Sequence, residues 1–344
     1  MPGRIREAID KGFFVPWPML RNFFSTLGPL TYIVSKHPEV IIGNFSHYHT
    51  RLKKSRVPWA YLANESKYDS TKVLSKEDYE DLPPLSNEKY LRPTRLCECD
   101  APEIRAIAKK LGAGKLSDLE FAHAAYKWVM EEKEFVVKPM IGALQVFKTR
   151  GGVCLDQLSL LAAIARAGGI PARYRLYSLI FTEPIYNIIV APNPILKETV
   201  EMLGVLDALH GEAELYVDGK WIPGDPTFSP SLAAGLDMPI TYLGEEPGWR
   251  VRGEESNDIR FEGFPAAFRH LMIPTLMIIL KTVDDANKTI DEIRKKGKEI
   301  LENTTIEEYN KKKKKTYKPK IPTLDEVKKF RKKQKEIRVS TEVE

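Results

Sequence analysis

Thr149-Arg150-Gly151-Gly152-Val153-Cys154-Leu155-Asp156-Gln157 decides what this chain can be. An apolar run follows, with Leu158, Leu161, Ala162, Ile164 and Ala165 at helical spacing. It stops at Gly168-Gly169 with Pro171 behind them, a helix C-terminus signal. Cys154 therefore falls where a glycine pair ends and a helix begins. A helix N-terminus offers free N–H groups and a partial positive charge. Both favour the thiolate, the form of cysteine that attacks. Gly151 and Gly152 are open to turn conformations closed to other residues and let a substrate backbone approach. The same segment also fits a small buried hydrophobe on a core helix, a common fate of cysteine.

Downstream, Arg173 to Phe181 is β-rich, and Pro184 to Leu209 is a poorly patterned connection with a short helix expected near Glu198–Leu206. Ala213, Leu215 and Val217 then alternate with Glu212, Glu214 and Tyr216. Asp218-Gly219 is a turn signal, and Lys220-Trp221-Ile222 completes a hairpin. A two-residue turn would pair Val217 with Lys220 and Glu212 with Asp225. His210, Glu212 and Asp225 then share one face, because strand side chains alternate. His210 and Asp225 become diagonal neighbours, roughly 7–8 Å apart in backbone and within side-chain reach. That suits an Asp that holds an imidazole while its other nitrogen faces a thiol. Taken singly, His210 reads as a surface histidine at a strand start and Asp225-Pro226 as an ordinary turn.

Taken together, these segments resemble the transglutaminase-like superfamily. Thr149–Arg175, with Gly-Gly-Val-Cys and Ala-Gly-Gly-Ile-Pro-Ala-Arg, is similar to its nucleophile segment. His210 to Thr227, ending in Asp225-Pro226-Thr227, is similar to its His and Asp segments. Tyr126-Lys127-Trp128-Val129 matches the helix that commonly precedes the nucleophile. The likeness covers roughly residues 100–230. It implies an α+β, papain-like fold, with the nucleophile helix packed on an antiparallel sheet. It also implies an acyl-enzyme on Cys154, with His210 as base and Asp225 orienting the base. The expected function is a cysteine peptidase or amidase acting on a protein or peptide. Alternatives are a protein cross-linking transglutaminase and a non-catalytic binding protein recruited by a basic tail. There are departures from the family. Glu212 stands where an aromatic is usual; it could raise a pKa, contact an amine substrate or turn to solvent. The N–H of Cys154 is the natural first oxyanion donor. Gln145 is a candidate for the second, or a helix-surface residue. Gly152 and Trp221 complete the candidate supporting or substrate-binding set. No cofactor is expected, and no calcium-ligand pattern is visible.

Outward from this core, four regions are expected. Residues 1–95 form an irregular extension of short helices and loops, rich in aromatics and prolines. Residues 96–262 form the catalytic core, 263–302 a helical region, and 303–344 a basic, mobile tail. Within the core, Asp100-Ala101-Pro102 and Ser117-Asp118-Leu119-Glu120 read as helix starts. A chain of 344 residues allows one large domain or two smaller ones, and 43 % apolar residues can bury a sizeable core. Net charge is +6, but residues 311–335 hold 13 Lys or Arg against Asp325 and Glu326, which leaves the rest mildly acidic. That tail is a candidate contact for nucleic acid or an anionic membrane. No 18-residue apolar stretch occurs, so no membrane span is expected. Phe13 to Ile33 is apolar-rich but broken by prolines, which leaves buried packing or a membrane surface. Met1-Pro2-Gly3-Arg4 does not begin a signal-peptide pattern. Three cysteines make no disulfide framework, which fits a reducing cytoplasm. Cys97 and Cys99 form a C-x-C pair and His47 and His49 an H-x-H pair on a possible strand. Neither has the partners a metal site needs, so no metal is expected.

Overall fold

The structure, a computed structural model, describes residues 7, 8, 10, 12, 17–54, 76–180, 182–203, 207–248, 251–252, 258–278 and 280–320. The first long elements are two helices, α1 (Trp17–Lys36) and α2 (Pro38–Lys54). This corrects the expectation of short helices and loops there. Pro18 and Pro38 lie in first turns, where the missing N–H has no helical partner to lose, although Pro29 lies inside α1. The H-x-H pair is on α2, not on a strand. Side chains two apart on a helix point away from one another, so His47 and His49 do not converge. His47 Nε2 instead meets Asp284 at 2.5 Å.

The core begins with α3 (Pro102–Lys110) and α4 (Asp118–Glu132). The Ser117 signal is a true capping box, with Ser117 and Glu120 satisfying each other's backbone N–H groups. Then come β1 (Glu134–Phe135), α5 (Ala143–Phe147), β2 (Gly151–Gly152), α6 (Cys154–Ala167) and β3 (Ala172–Ile180). Every residue of α6 from Leu155 to Ala167 is buried. A helix apolar on all sides must be surrounded, and α6 is packed by α3, α4, α5 and the strands β3 and β4 (Asp207–Val217). Leu158, Leu160 and Leu161 are fully buried, each worth roughly 1.5–3 kcal/mol. The one guanidinium on α6 is also buried. Arg166 donates to the carbonyls of Arg92, Ala172 and Glu262, so a buried charge ties three segments around the helix end.

Between β3 and β4 lie α7 (Glu183–Ile189) and α8 (Pro194–Leu203). One short helix was expected there. Asn193 starts the second, accepting from the N–H groups of Ile195 and Leu196. After β4 come β5 (Lys220–Gly224), α9 (Pro230–Gly235), β6 (Val251–Arg252), β7 (Ile259–Phe261), α10 (Ala266–Ile278), α11 (Leu280–Glu302) and α12 (Ile306–Thr316). β4 and β5 pair antiparallel with Val217 opposite Lys220 and Ala213 opposite Gly224, the register expected from the turn. β3 lies on the other side of β4, and β6 and β7 share its far edge. The sheet is antiparallel throughout and the fold is α+β. Its Ala213, Leu215 and Val217 join the core around α6. A second apolar cluster, including Tyr177, Phe228, Leu232 and Ile290, lies under α7, α9 and α11.

The mobile tail expected from about residue 303 begins as structure. Thr305 caps α12, and Tyr309 and Asn310 are buried. Asn310 exchanges two hydrogen bonds with Ile240, and Tyr309 Oη donates to the carbonyl of Met238. The helix start expected near Thr323 lies outside the described residues, as do Trp59 and Tyr61. No described helix is long and apolar enough to cross a membrane.

Candidate active site

β1 and β2 are only two residues each, paired in parallel with Gly151 opposite Glu134. Neither glycine of the pair has a positive φ. They are there for close approach, not for turn conformations. A Cβ on Gly151 would sit 1.8 Å from the Glu134 carbonyl oxygen, and one on Gly152 2.4 Å from Asp156 Oδ2. The backbone then turns at Val153, the helix N-cap, and Cys154 opens α6 half-buried. Its N–H lies in the first turn, where no preceding turn supplies an acceptor.

His210 is carried by β4 and is buried. Its Nε2 is 2.8 Å from Asp225 Oδ2, one residue beyond the end of β5. Nδ1 is the nitrogen left for the thiol, and the Cys154 side chain is within hydrogen-bonding reach of the imidazole. Asp225 is held at its other atoms too. Thr227 donates to Oδ1 from its N–H at 3.2 Å and from its hydroxyl. Tyr126 Oη donates to the Asp225 carbonyl at 2.9 Å. The Tyr177 ring stands edge-on to the imidazole at 5.7 Å. The site thus lies at the seam of the two apolar clusters, with Cys154 against one and Tyr177 in the other.

Burial by itself would push the His210 pKa down. The Asp225 carboxylate and the Cys154 sulfur outweigh it and raise the pKa to about 10. A histidine with a raised folded pKa stabilises the fold fully below its unfolded pKa of about 6.5 and loses that contribution as pH rises through the folded value. Stability of the wild type should therefore decline between about pH 6.5 and 10, and the decline should be shallower in His210→Gln. Urea midpoints at pH 6, 8 and 9.5 check this; parallel curves for the two proteins would contradict it.

The other sequence candidates separate. Glu212 is buried and not turned to solvent; Arg175 donates to it at 3.1 Å and also to Asp258. Its charge is matched by a guanidinium from β3. Gln145 is exposed on α5. Trp221 pairs across the hairpin with Tyr216, six residues along β4 from His210 and so about 20 Å away. There it meets Tyr90 edge to face and Tyr216 at a tilt, with the Arg173 guanidinium 4.0 Å from its ring. Gly152 lies against the carboxylate of Asp156.

Sequence reading did not assign Tyr126, Thr227 or Asp156 a place at the site. Asp225-Pro226-Thr227 carried the signal for Thr227, since an Asp side chain readily accepts from the backbone two residues on. Asp156 lies in the first turn of α6 and is fully buried. Its Oδ1 accepts from the N–H groups of Ile141 and Gly142, which ties that loop to the helix start. Burial pushes its pKa up to about 6, against the opposing pull of Lys138 and these amides. Cys97 and Cys99 are buried away from the site, and burial raises both thiols. Among the described residues, no group of three or more His, Cys, Asp or Glu is arranged to hold a metal ion.

A model of the transglutaminase-like superfamily matches residues 105–226, which contain Cys154, His210 and Asp225. Among solved structures, the chain is similar to a candidate cysteine protease from Cytophaga hutchinsonii, at 20 % identity and a TM-score of 0.30. The likeness covers 55 % of this chain and 57 % of that one, so the chain spans a little over half of its relative's length. No curated protein sequence matches.

Proposed function

We propose that this chain, whose residues 105–226 form a transglutaminase-like core, is a cysteine-dependent hydrolase of amide bonds, a peptidase or amidase working through an acyl-enzyme. One observation carries this reading. A cysteine at the first position of a buried helix reaches an imidazole whose Nε2 is held at 2.8 Å by a buried carboxylate.

The chemistry follows from that arrangement. Cys154 Sγ attacks the amide carbonyl as the thiolate. The tetrahedral oxyanion forms beside the helix N-terminus, with the N–H of Cys154 as donor. The imidazolium is the resting form of His210 across neutral pH. The proton that the departing amine needs is therefore already in place. Collapse expels the amine and leaves a thioester on Cys154. Water then attacks, His210 takes its proton, and the acid is released with Cys154 restored. Asp225 fixes the ring through Nε2 throughout. The buried free thiols Cys97 and Cys99 fit a reducing compartment, and we place the protein in the cytoplasm.

The test is turnover of a peptide and glycopeptide library, with and without an added primary amine. Wild type should release amine products without the additive, and Cys154→Ala should fall to background. Equal turnover by Cys154→Ala would remove the reading. Products that form only with added amine would replace hydrolysis by transamidation.

A further inference from the structure

The lysine-rich segment that begins at Lys311 has no part in the site above, yet it builds one wall of a cavity of about 620 Å³. That volume suits a small ligand. The walls come from four places: the start of α7, the end of α9, the middle of α11, and the end of α12 with the residues after it. Four lysines line it, Lys296, Lys313, Lys318 and Lys320, against two carboxylates, Glu183 and Asp237. Lys313 is paired with Asp237. No acidic partner among the described residues faces Lys296, Lys318 or Lys320, so the remaining charge is three ammonium groups against Glu183. At the wall, Tyr317 Oη is shielded from solvent with no hydrogen-bond partner. A buried hydroxyl left unmatched costs about 1–3 kcal/mol, and a ligand acceptor would remove that cost. Burial first, then Glu183 and Asp237, push this phenol's pKa up to about 12, so it stays a donor at neutral pH.

We propose that this cavity binds a small phosphate-bearing anion, held by Lys296, Lys318 and Lys320 and accepting a hydrogen bond from Tyr317. Ammonium groups suit phosphate as compact point charges, and several converging on one anion give affinity that none gives alone. Asn310 and Tyr309 anchor α12. The chain beyond its end is tied back where the Glu183 N–H donates to the Lys320 carbonyl at 2.7 Å. Lys318 and Lys320 are thus carried by a docked segment, and Lys296 by α11.

Inorganic pyrophosphate binding to the full chain, followed by calorimetry, is the test. Wild type should bind, with affinity falling as salt rises. Lys318→Glu and Lys296→Glu should each weaken binding by about tenfold or more, and Tyr317→Phe by about threefold to tenfold, the range of one lost hydrogen bond. Lys311→Glu removes the same charge from the same run but does not line the cavity, and it should bind as wild type does. Labelling of Cys154 by a thiol-directed probe should be unchanged in all four, which separates this site from the proposed catalytic one. Failure of wild type to bind, or equal weakening by Lys311→Glu and Lys318→Glu, would overturn the proposal. So would binding to phosphatidylcholine–phosphatidylglycerol vesicles without pyrophosphate binding, which would make the lysines a membrane contact.

Discussion

Asp225→Asn should lower turnover by about 10³–10⁴-fold, mainly in kcat, while the protein remains folded. Thr227 fixes the direction of this effect. It offers two donors to Asp225 Oδ1, its N–H and its hydroxyl, while His210 Nε2 faces Oδ2. An asparagine would keep its carbonyl oxygen toward Thr227, because two donors need an acceptor there. Its amide group would then face His210 and donate to Nε2. The ring is forced into the tautomer with its hydrogen on Nδ1, the nitrogen required to serve the thiol. Loss of the carboxylate also removes the chief charge that raises the His210 pKa against burial. The pH–rate profile should therefore shift as well as fall. A variant within threefold of wild type, with an unchanged profile, would contradict the role given to Asp225.

Gly151→Ala should cost about 3 kcal/mol or more, a fall in Tm on the order of 5–10 °C by thermal melting. The added Cβ would lie 1.8 Å from the carbonyl oxygen of Glu134 and under 3 Å from its C and N. All three atoms are backbone, so no flexible side chain can move aside. β1 and β2 would part, and Cys154, three residues on, would move with them. Gly219→Asn is the control. Nothing lies within 4 Å of a Cβ there, and its φ of +76° is one that asparagine tolerates. Its effect should stay within about 1 kcal/mol. Equal melting of Gly151→Ala and wild type would mean that the glycine pair is not a packing requirement.

The parts legible in the sequence were those set by local rules. The Asp218-Gly219 turn fixes the β4–β5 register, and that register puts His210 beside Asp225. The apolar run after Cys154, with Leu158, Leu160, Leu161, Ala162, Ala163, Ile164 and Ala165, specifies a buried helix, while its few polar groups, such as Asp156 and Arg166, find partners only in the fold. What stayed hidden depends on residues far apart in the chain. Glu212 is neutralised by Arg175 only because β3 and β4 align them across 37 positions. The glycine pair looks like a turn until Glu134 is seen against it. The aromatics and prolines of residues 17–54 mask two long helices, and Pro38 in fact begins one of them. The lysines of α12 read as a solvated tail because the residues that dock it, Tyr309 and Asn310, find their partners about 70 positions earlier.

Cys154 as a nucleophile served by His210 is what the rest of the mechanism depends on. Intact-mass measurement after brief treatment of the native protein with a thiol-directed electrophile, followed by peptide mapping, tests it most directly. The wild type should carry a single adduct, on Cys154, with none on the buried Cys97 and Cys99, and Cys154→Ala should carry none. Labelling should be slowed by at least about tenfold in His210→Ala. Equal labelling of wild type and Cys154→Ala, or a rate indifferent to His210, would contradict it.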